Sequence, residues 1–272
     1  ALGTEADAAA IEDTAVTQPL LVAGALLAFD QLTREVELPD DAVVAGHSVG
    51  ELAAAAMAGV LAPERAVALA AVRGREMAAA CAEEPTGMAA VLGGDADAVL
   101  ARLAELDLEP ANRNGSGQIV AAGRQEAVDA LVDEPPEGAR VRALAVAGAF
   151  HTRFMEPAEK ALGAWVGEHR DELAPREPRY TLLQNADGAV VTDGGEYLDR
   201  LVAQVTRSVR WDACMDTMAE RGVGAAVELT PAGTLTGMVK RAVKGTATHG
   251  VNTPDDLEKA VDMITEHGGE RA

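Results

Sequence analysis

The chain has 272 residues and a formal net charge of −21 at pH 7, with 48% hydrophobic and only 3% aromatic residues. That length suits one large domain with or without a small inserted one, and a core of Ala, Val and Leu suits closely packed helices and parallel strands. The acidic balance argues against nucleic acid and anionic membrane as partners, and neither an apolar run of roughly 18 residues nor a basic-then-apolar leader is present.

Asp13-Thr14 reads as the N-cap of a helix over 16–35 carrying Leu20, Leu21, Leu26, Leu27 and Phe29. Leu38-Pro39-Asp40-Asp41 breaks the pattern and leads into Ala42-Val43-Val44-Ala45, a short apolar run fit for a buried parallel strand. Glu51 to Ala58 is then strong helix former. Between strand and helix stands Gly46-His47-Ser48-Val49-Gly50. A serine on a strand-to-helix turn, with glycine two positions either side, is the nucleophile-elbow pattern; the turn is sharp and its flanking backbones pass close together. Pro63 opens a further helix to about residue 81.

After Pro85 the character changes. Strands over 87–92, 110–114, 118–122 and 140–146 alternate with helices over 95–106 and 124–132. The order β-α-β-β-α-β is the ferredoxin-like pattern. Residues 86–147 therefore read as a small domain inserted into a large one made of 1–85 and 148–272. A helix from His151 to about 169, a strand over 180–183, helices over 197–205 and 209–220 and a strand over 225–229 follow. Thr230-Pro231-Ala232-Gly233 opens a helix to about 243, and Thr253-Pro254-Asp255-Asp256 starts the last one. The expected class is α/β: a hydrolase-like large domain with a parallel sheet core, plus an inserted ferredoxin-like small domain.

Ser48 needs a base within hydrogen-bond reach. The N–H of Val49, at the start of a helix, faces the spot where an oxyanion would form. Of the five histidines, His47 adjoins the serine and would point away from it as a wall residue. His169, His249 and His267 sit in polar or loop stretches and read as surface. His151 follows the small-residue stretch Val146-Ala147-Gly148-Ala149-Phe150 at a domain junction and opens a helix, which makes it the candidate base, with a structural histidine as the alternative. No acid announces itself as its partner; a backbone carbonyl can orient an imidazole too, giving a dyad. Arg73, in the run Ala-Ala-Val-Arg-Gly, has the shape of a bidentate carboxylate clamp, with an ordinary helix-surface arginine like Arg75 as the equal alternative. Cys81 and Cys214 lack metal-ligand spacing and read as free thiols of a reducing, cytoplasmic compartment.

Thr17-Gln18-Pro19, Gly46-His47-Ser48-Val49-Gly50-Glu51, Val72-Arg73-Gly74, Asn112-Arg113-Asn114-Gly115-Ser116-Gly117-Gln118, Gly148-Ala149-Phe150-His151 and Pro231-Ala232-Gly233-Thr234-Leu235 occur in that order. Together, and over essentially the whole chain, they resemble the malonyl-CoA:acyl carrier protein transacylases. The resemblance implies a ping-pong transfer in which Ser48 takes a malonyl group from coenzyme A as an ester and passes it to the phosphopantetheine thiol of acyl carrier protein. It implies His151 as base and then acid, oriented by the main-chain carbonyl of Gln204, with Val49 N–H as one oxyanion donor. Arg73 would pair with the malonyl carboxylate, Met77 would line the pocket, and Phe150 would leave little room for a methyl branch. The family's second oxyanion donor is a glutamine in a Gly-Gln-Gly-type loop, and the sequence starts after that segment. No cofactor or metal is implied, and a monomer is expected.

Three rival readings use the same serine or its surface. An α/β-hydrolase would draw on Asp187 or Asp212 with His249 or His267. A patatin-like lipase would use the acid of Asp187-Gly188-Ala189 or Asp193-Gly194-Gly195, and a non-catalytic carrier-docking module would not need Ser48 at all. Because carrier protein is acidic, docking on a chain of this charge calls for a local basic patch, for which Arg207, Arg210, Lys240, Arg241 and Lys244 are the candidates.

Overall fold

A computed structural model describes residues 13–271. Helix α1 (Thr14–Glu35) leads through β1 (Val36–Glu37) and β2 (Val43–Val44) to α2 (Gly50–Met57) and α3 (Pro63–Cys81). Next come β3 (Thr86–Gly93), α4 (Ala96–Glu105), β4 (Glu109–Gly115), β5 (Gln118–Arg124), α5 (Gln125–Asp133) and β6 (Ala139–Ala143). The remainder is α6 (Glu156–Leu173), β7 (Thr181–Leu182), α7 (Gly194–Ala203), β8 (Val209–Arg210), α8 (Trp211–Glu220), β9 (Ala225–Leu229), α9 (Thr234–Ala242), β10 (Ala247–Val251), α10 (Leu257–Glu266) and β11 (Glu270–Arg271). The fold is α/β.

Local chemistry sets the helix starts. The side chains of Asp13, Asp95 and Asp193 accept N–H groups of Ala15, Ala98 and Glu196, the N-cap arrangement that satisfies an otherwise orphan donor. Pro63 occupies the first turn of α3, where its missing N–H costs nothing. Helix α9 starts differently. The carboxylate of Glu228, from β9, accepts N–H groups of Gly233, Leu235 and Thr236, so the start of the Pro231–Leu235 motif is closed by a side chain of the chain itself.

Strands β3 to β6 form an antiparallel sheet in the order β6-β3-β5-β4 with α4 and α5 supplying its core, in which Val91, Val99, Leu103, Val128 and Leu131 are buried. Residues 209–210, expected to begin a helix, are instead strand β8, which adds to this sheet parallel to β4 in the register Asn112↔Val209 and Arg113↔Arg210. Val209 is fully buried there, and Ser208 Oγ donates to the carbonyl of Pro110 at 2.5 Å. The edge of β4 thus captured a segment whose helical pattern begins at Trp211.

Among the described residues the parallel strands of the main core form two pairs, β2 with β7 and β9 with β10. Val43 and Val44 of β2 and Ala225 to Leu229 of β9 line a broad apolar cleft between them, and the main core packs behind it from α1, α2, α3, α6 and α7. Strands β1, β10 and β11 are not expected from the sequence; β1 and β11 pair antiparallel and tie the segment after α1 to the carboxyl end of the described chain. Helix α1 is, contrary to the reading of apolar runs, long and apolar enough to cross a membrane by length and composition. Here it packs on α3, and Gly74 permits the approach, since a Cβ there would lie 2.6 Å from the carbonyl oxygen of Thr14.

The elbow lies between β2 and α2. Its two glycines are not equivalent. A Cβ on Gly46 would overlap the backbone of Gly50, whereas a Cβ on Gly50 would meet nothing within 4 Å. Gly46→Ala should therefore cost more than about 3 kcal/mol in urea unfolding, and Gly50→Ala, at the start of a helix where Ala is preferred, should change stability by less than about 1 kcal/mol.

Candidate active site

Ser48 sits at φ 54°, in the left-handed region that a serine seldom adopts. Its hydroxyl comes within 2.6 Å of His151 Nε2. The imidazole's Nδ1 lies 2.8 Å from the carbonyl oxygen of Gln204. A carbonyl only accepts, so Nδ1 carries the hydrogen and Nε2 presents its lone pair to the serine. His151 does not open a helix. It stands at φ 61° with its N–H on the carbonyl of Val205, and a single 3-10 turn at Arg153–Met155 separates it from α6. The tight small-residue approach accounts for its preceding stretch: a Cβ on Gly148 would press on Cys81 Sγ at 2.5 Å.

Arg73 and Arg75, alike in sequence, part company in the structure. Arg75 is exposed and pairs with Glu76, while Arg73 is 2% exposed and points at the elbow. Its Nη2 lies 3.3 Å from Ser48 Oγ and donates to Gln204 Oε1 at 2.8 Å, and its Nη1 donates to Gln18 Oε1 at 2.6 Å. Its Nε has no partner among the described residues. The guanidinium is thus held by two neutral amides, with no carboxylate of the described residues bonded to it. Burial pulls it down to about 10 and the negative charge of Glu51 opposes that, so it stays a cation. Burial, with the Arg73 charge second, lowers His151 to about 3.

Under the elbow is a layer of polar groups. Asn185 donates from Nδ2 to the carbonyl of Gly46 at 2.7 Å and accepts the N–H of Ser48 on Oδ1 at 2.8 Å. Glu51, 3% exposed, accepts the N–H of Asn185 at 2.8 Å, the hydroxyl of Tyr197 at 3.2 Å and the side-chain amide of Gln204. Burial pushes its carboxyl up to about 7 against those donors.

His47 turns away from Ser48. Its Nε2 is 2.9 Å from Asn114 Oδ1, it meets Trp211 edge-on, and burial lowers its pKa. Asn114, on β4, thereby ties that sheet to the elbow. Met77 is buried beside Gln18, whose Nε2 lies 3.5 Å from its sulfur, and Phe150 packs against both the main core and the sheet of β3, β4 and β5. Val49 immediately precedes the first turn of α2. Arg207, Lys240, Arg241 and Lys244 are exposed, but Arg210 is bound through two nitrogens to Asp212 and is no free cation. The other histidines are engaged elsewhere: His169 with the Trp165 carbonyl, His249 with Asp256 and His267 with Met263. Asp187 caps its own turn through Gln184 and Ala189. Among the described residues no group of His, Cys, Asp and Glu is arranged to hold a metal.

The residues that sequence reasoning passes over are Asn185, Tyr197 and the side chains of Gln18 and Glu51. Asn185 has a signal that could have found it: it ends the run Leu182-Leu183-Gln184-Asn185 just beyond β7, and polar residues past the carboxyl ends of adjacent parallel strands converge on one site.

Known proteins resemble this chain over nearly its whole length. Residues 3–263 match the family described as acyl transferase domain. Malonyl CoA-acyl carrier protein transacylase of Mycobacterium tuberculosis is 54% identical over 263 residues, spanning 96% of this chain and 86% of that protein. The crystal structure of the enzyme from that organism superposes with a TM-score of 0.89 at 53% identity, over 96% of this chain and 85% of the other. A malonyl-transacylase solved in complex with a type II PKS acyl-carrier protein superposes with a TM-score of 0.84 at 28% identity, over 93% of this chain and 82% of the other. The chain belongs to the acyl transferase domain family, among its malonyl CoA-acyl carrier protein transacylases.

Proposed function

We propose that the chain transfers a malonyl group from coenzyme A to the phosphopantetheine thiol of acyl carrier protein through a malonyl ester on Ser48. The observation that carries this reading is a buried arginine, held only by amides, with a nitrogen 3.3 Å from a serine hydroxyl that is itself 2.6 Å from an imidazole.

In the first half-reaction Ser48 Oγ attacks the thioester carbonyl and its proton passes to His151 Nε2. The negative oxygen that forms is received by Val49 N–H at the start of α2. Collapse of the adduct breaks the carbon–sulfur bond, and the departing coenzyme A sulfur takes the proton back from His151. In the second half the carrier's thiol gives its proton to His151, the sulfur attacks the ester, and Ser48 leaves with that proton. The Gln204 carbonyl keeps Nδ1 protonated throughout, so no triad acid is required. Arg73 receives the malonyl carboxylate and selects it over an uncharged acyl group; Met77 and Phe150 bound the acyl pocket, and His47 forms its wall. Ester and thioester exchange of this kind needs no cofactor.

The serine-hydrolase reading is not favoured, because the histidine on Ser48 is partnered by a carbonyl while Asp187 and Asp212 are committed to other groups. Carrier docking falls to Arg207, Lys240, Arg241 and Lys244. We read the architecture as a hydrolase-like domain, 1–85 with 148–272, carrying a ferredoxin-like insert over 86–147; the strand order β6-β3-β5-β4 supports the insert. We read the working species as a cytoplasmic monomer; two free thiols support the reducing compartment.

Incubation with malonyl-CoA followed by intact mass should give a malonyl adduct on the wild-type protein and none on Ser48→Ala; an unmodified wild type would sink the reading. Arg73→Ala should cut the preference for malonyl-CoA over acetyl-CoA at least thirtyfold, or about 2 kcal/mol, in competition acylation. The pH dependence has a defined sign. Below pH 6.5 the unfolded chain protonates His151 while the folded one resists until about 3, so this residue removes stability as pH falls through that window. The slope it contributes is at most about 1.4 kcal/mol per pH unit, and urea unfolding between pH 6.5 and 4 should be correspondingly less steep in pH for His151→Asn.

A further inference from the structure

The network beneath the elbow contains an amide whose orientation decides whether the clamp has a support. Gln204 presents Oε1 to Arg73 Nη2 at 2.8 Å, and Nε2 to the carbonyl of Ser48 at 3.0 Å and to the Glu51 carboxylate. Arginine can only donate; a carbonyl and a carboxylate can only accept. An amide rotated by half a turn would set its NH2 against the guanidinium and its oxygen against two acceptors.

We propose that Glu51 is a specificity-positioning residue: by accepting the NH2 of Gln204 it locks that amide with its oxygen toward Arg73, and so holds Arg73 ready for the malonyl carboxylate. The proposal rests on the reading of Arg73 as the carboxylate clamp. Glu51 touches no reacting atom and acts wholly through Gln204. Its other oxygen is already committed to the N–H of Asn185 and the hydroxyl of Tyr197. All four groups are buried, so a mismatched donor or acceptor among them is costly.

The chemistry dictates what an isosteric change does. In Glu51→Gln one oxygen becomes an NH2. The backbone N–H of Asn185 is fixed by the chain and needs an acceptor, so the new amide keeps its oxygen there and turns its NH2 toward Gln204. Two NH2 groups then oppose each other. Gln204 must rotate or withdraw, and in either case Arg73 loses one of its two amide supports. The Gln204 main-chain carbonyl still faces His151, so the base keeps its tautomer while the clamp loosens.

The test is competition between malonyl-CoA and acetyl-CoA for Ser48, read as the ratio of kcat/KM values in wild type, Glu51→Gln, Gln204→Met and the double variant, with thermal unfolding run alongside. Gln204→Met keeps the carbonyl and the side-chain length but has no amide. We expect the malonyl-to-acetyl ratio to fall at least tenfold in each single variant, through a raised KM for malonyl-CoA. The double variant should fall no further than Gln204→Met, because Glu51 has nothing left to act through. A general loss of structure would lower both substrates together and leave the ratio unmoved. An unchanged ratio in Glu51→Gln, or losses that multiply in the double variant, overturns the proposal. Should Glu51→Gln fail to fold, Gln204→Met decides alone: a ratio within threefold of wild type overturns the proposal and a tenfold fall supports it. Arg73→Ala separates the two levels. If it keeps the malonyl preference, the clamp reading fails; if it loses the preference while Glu51→Gln keeps it, only the role of Glu51 fails.

Discussion

Everything at this site depends on Asn185 holding the elbow. A serine at φ 54° is in a conformation costing on the order of 1–2 kcal/mol, and it persists only where the surroundings over-determine it. One side chain does most of that. The two ends of its amide bind the Gly46 carbonyl and the Ser48 N–H, so the turn is clamped on both sides of the nucleophile. Asn185 is itself placed by β7, which pairs with β2 in parallel register, so the strand that delivers the serine is aligned with the strand that delivers its clamp. The clamp's own N–H rests on Glu51, in the first turn of the helix that follows the serine, which closes the circle.

A second consequence of that layer is that orientation and charge are supplied by different parts of one residue. The main chain of Gln204 fixes the imidazole; its side chain supports the guanidinium. His151, lowered by burial and by the neighbouring cation, stays neutral where an ordinary histidine would already titrate. In the proposed reaction the arginine that lowers His151 is also the group whose charge the acyl carboxylate would offset.

Much of this was legible in the residues. The elbow follows from glycine spacing with an apolar run before it and alanines after it, and His151 stands out because small residues lead up to it. The order of elements from β3 to β6 follows from alternation and turn residues. What could not be read was burial. Arg73 and Arg75 share a helix and a composition, and only packing against α1 separates them. Contacts far apart in the chain, such as Asn185 with Ser48, leave no periodicity to detect. Val209-Arg210 reads as helix because its neighbours have helical pattern, yet the open edge of β4 takes it as a strand. That strand matters for how the parts are joined: the sheet of β3 to β6 runs on into the segment after Gln204, and Arg153, two residues past His151, pairs with Asp107 and Glu109. Backbone pairing and ion pairs from that sheet thus reach both segments that carry the imidazole and its carbonyl partner.

The start of α9 has a meaning of another kind. A helix beginning in a glycine-containing loop is ordinarily an open seat for phosphate, because its first N–H groups and its dipole both invite an anion. Here the seat is taken by Glu228, whose two oxygens gather three of those N–H groups. A nucleotide phosphate arriving at this loop would meet a carboxylate rather than free donors. The Pro231–Leu235 motif is thus a corner that the chain seals with its own carboxylate.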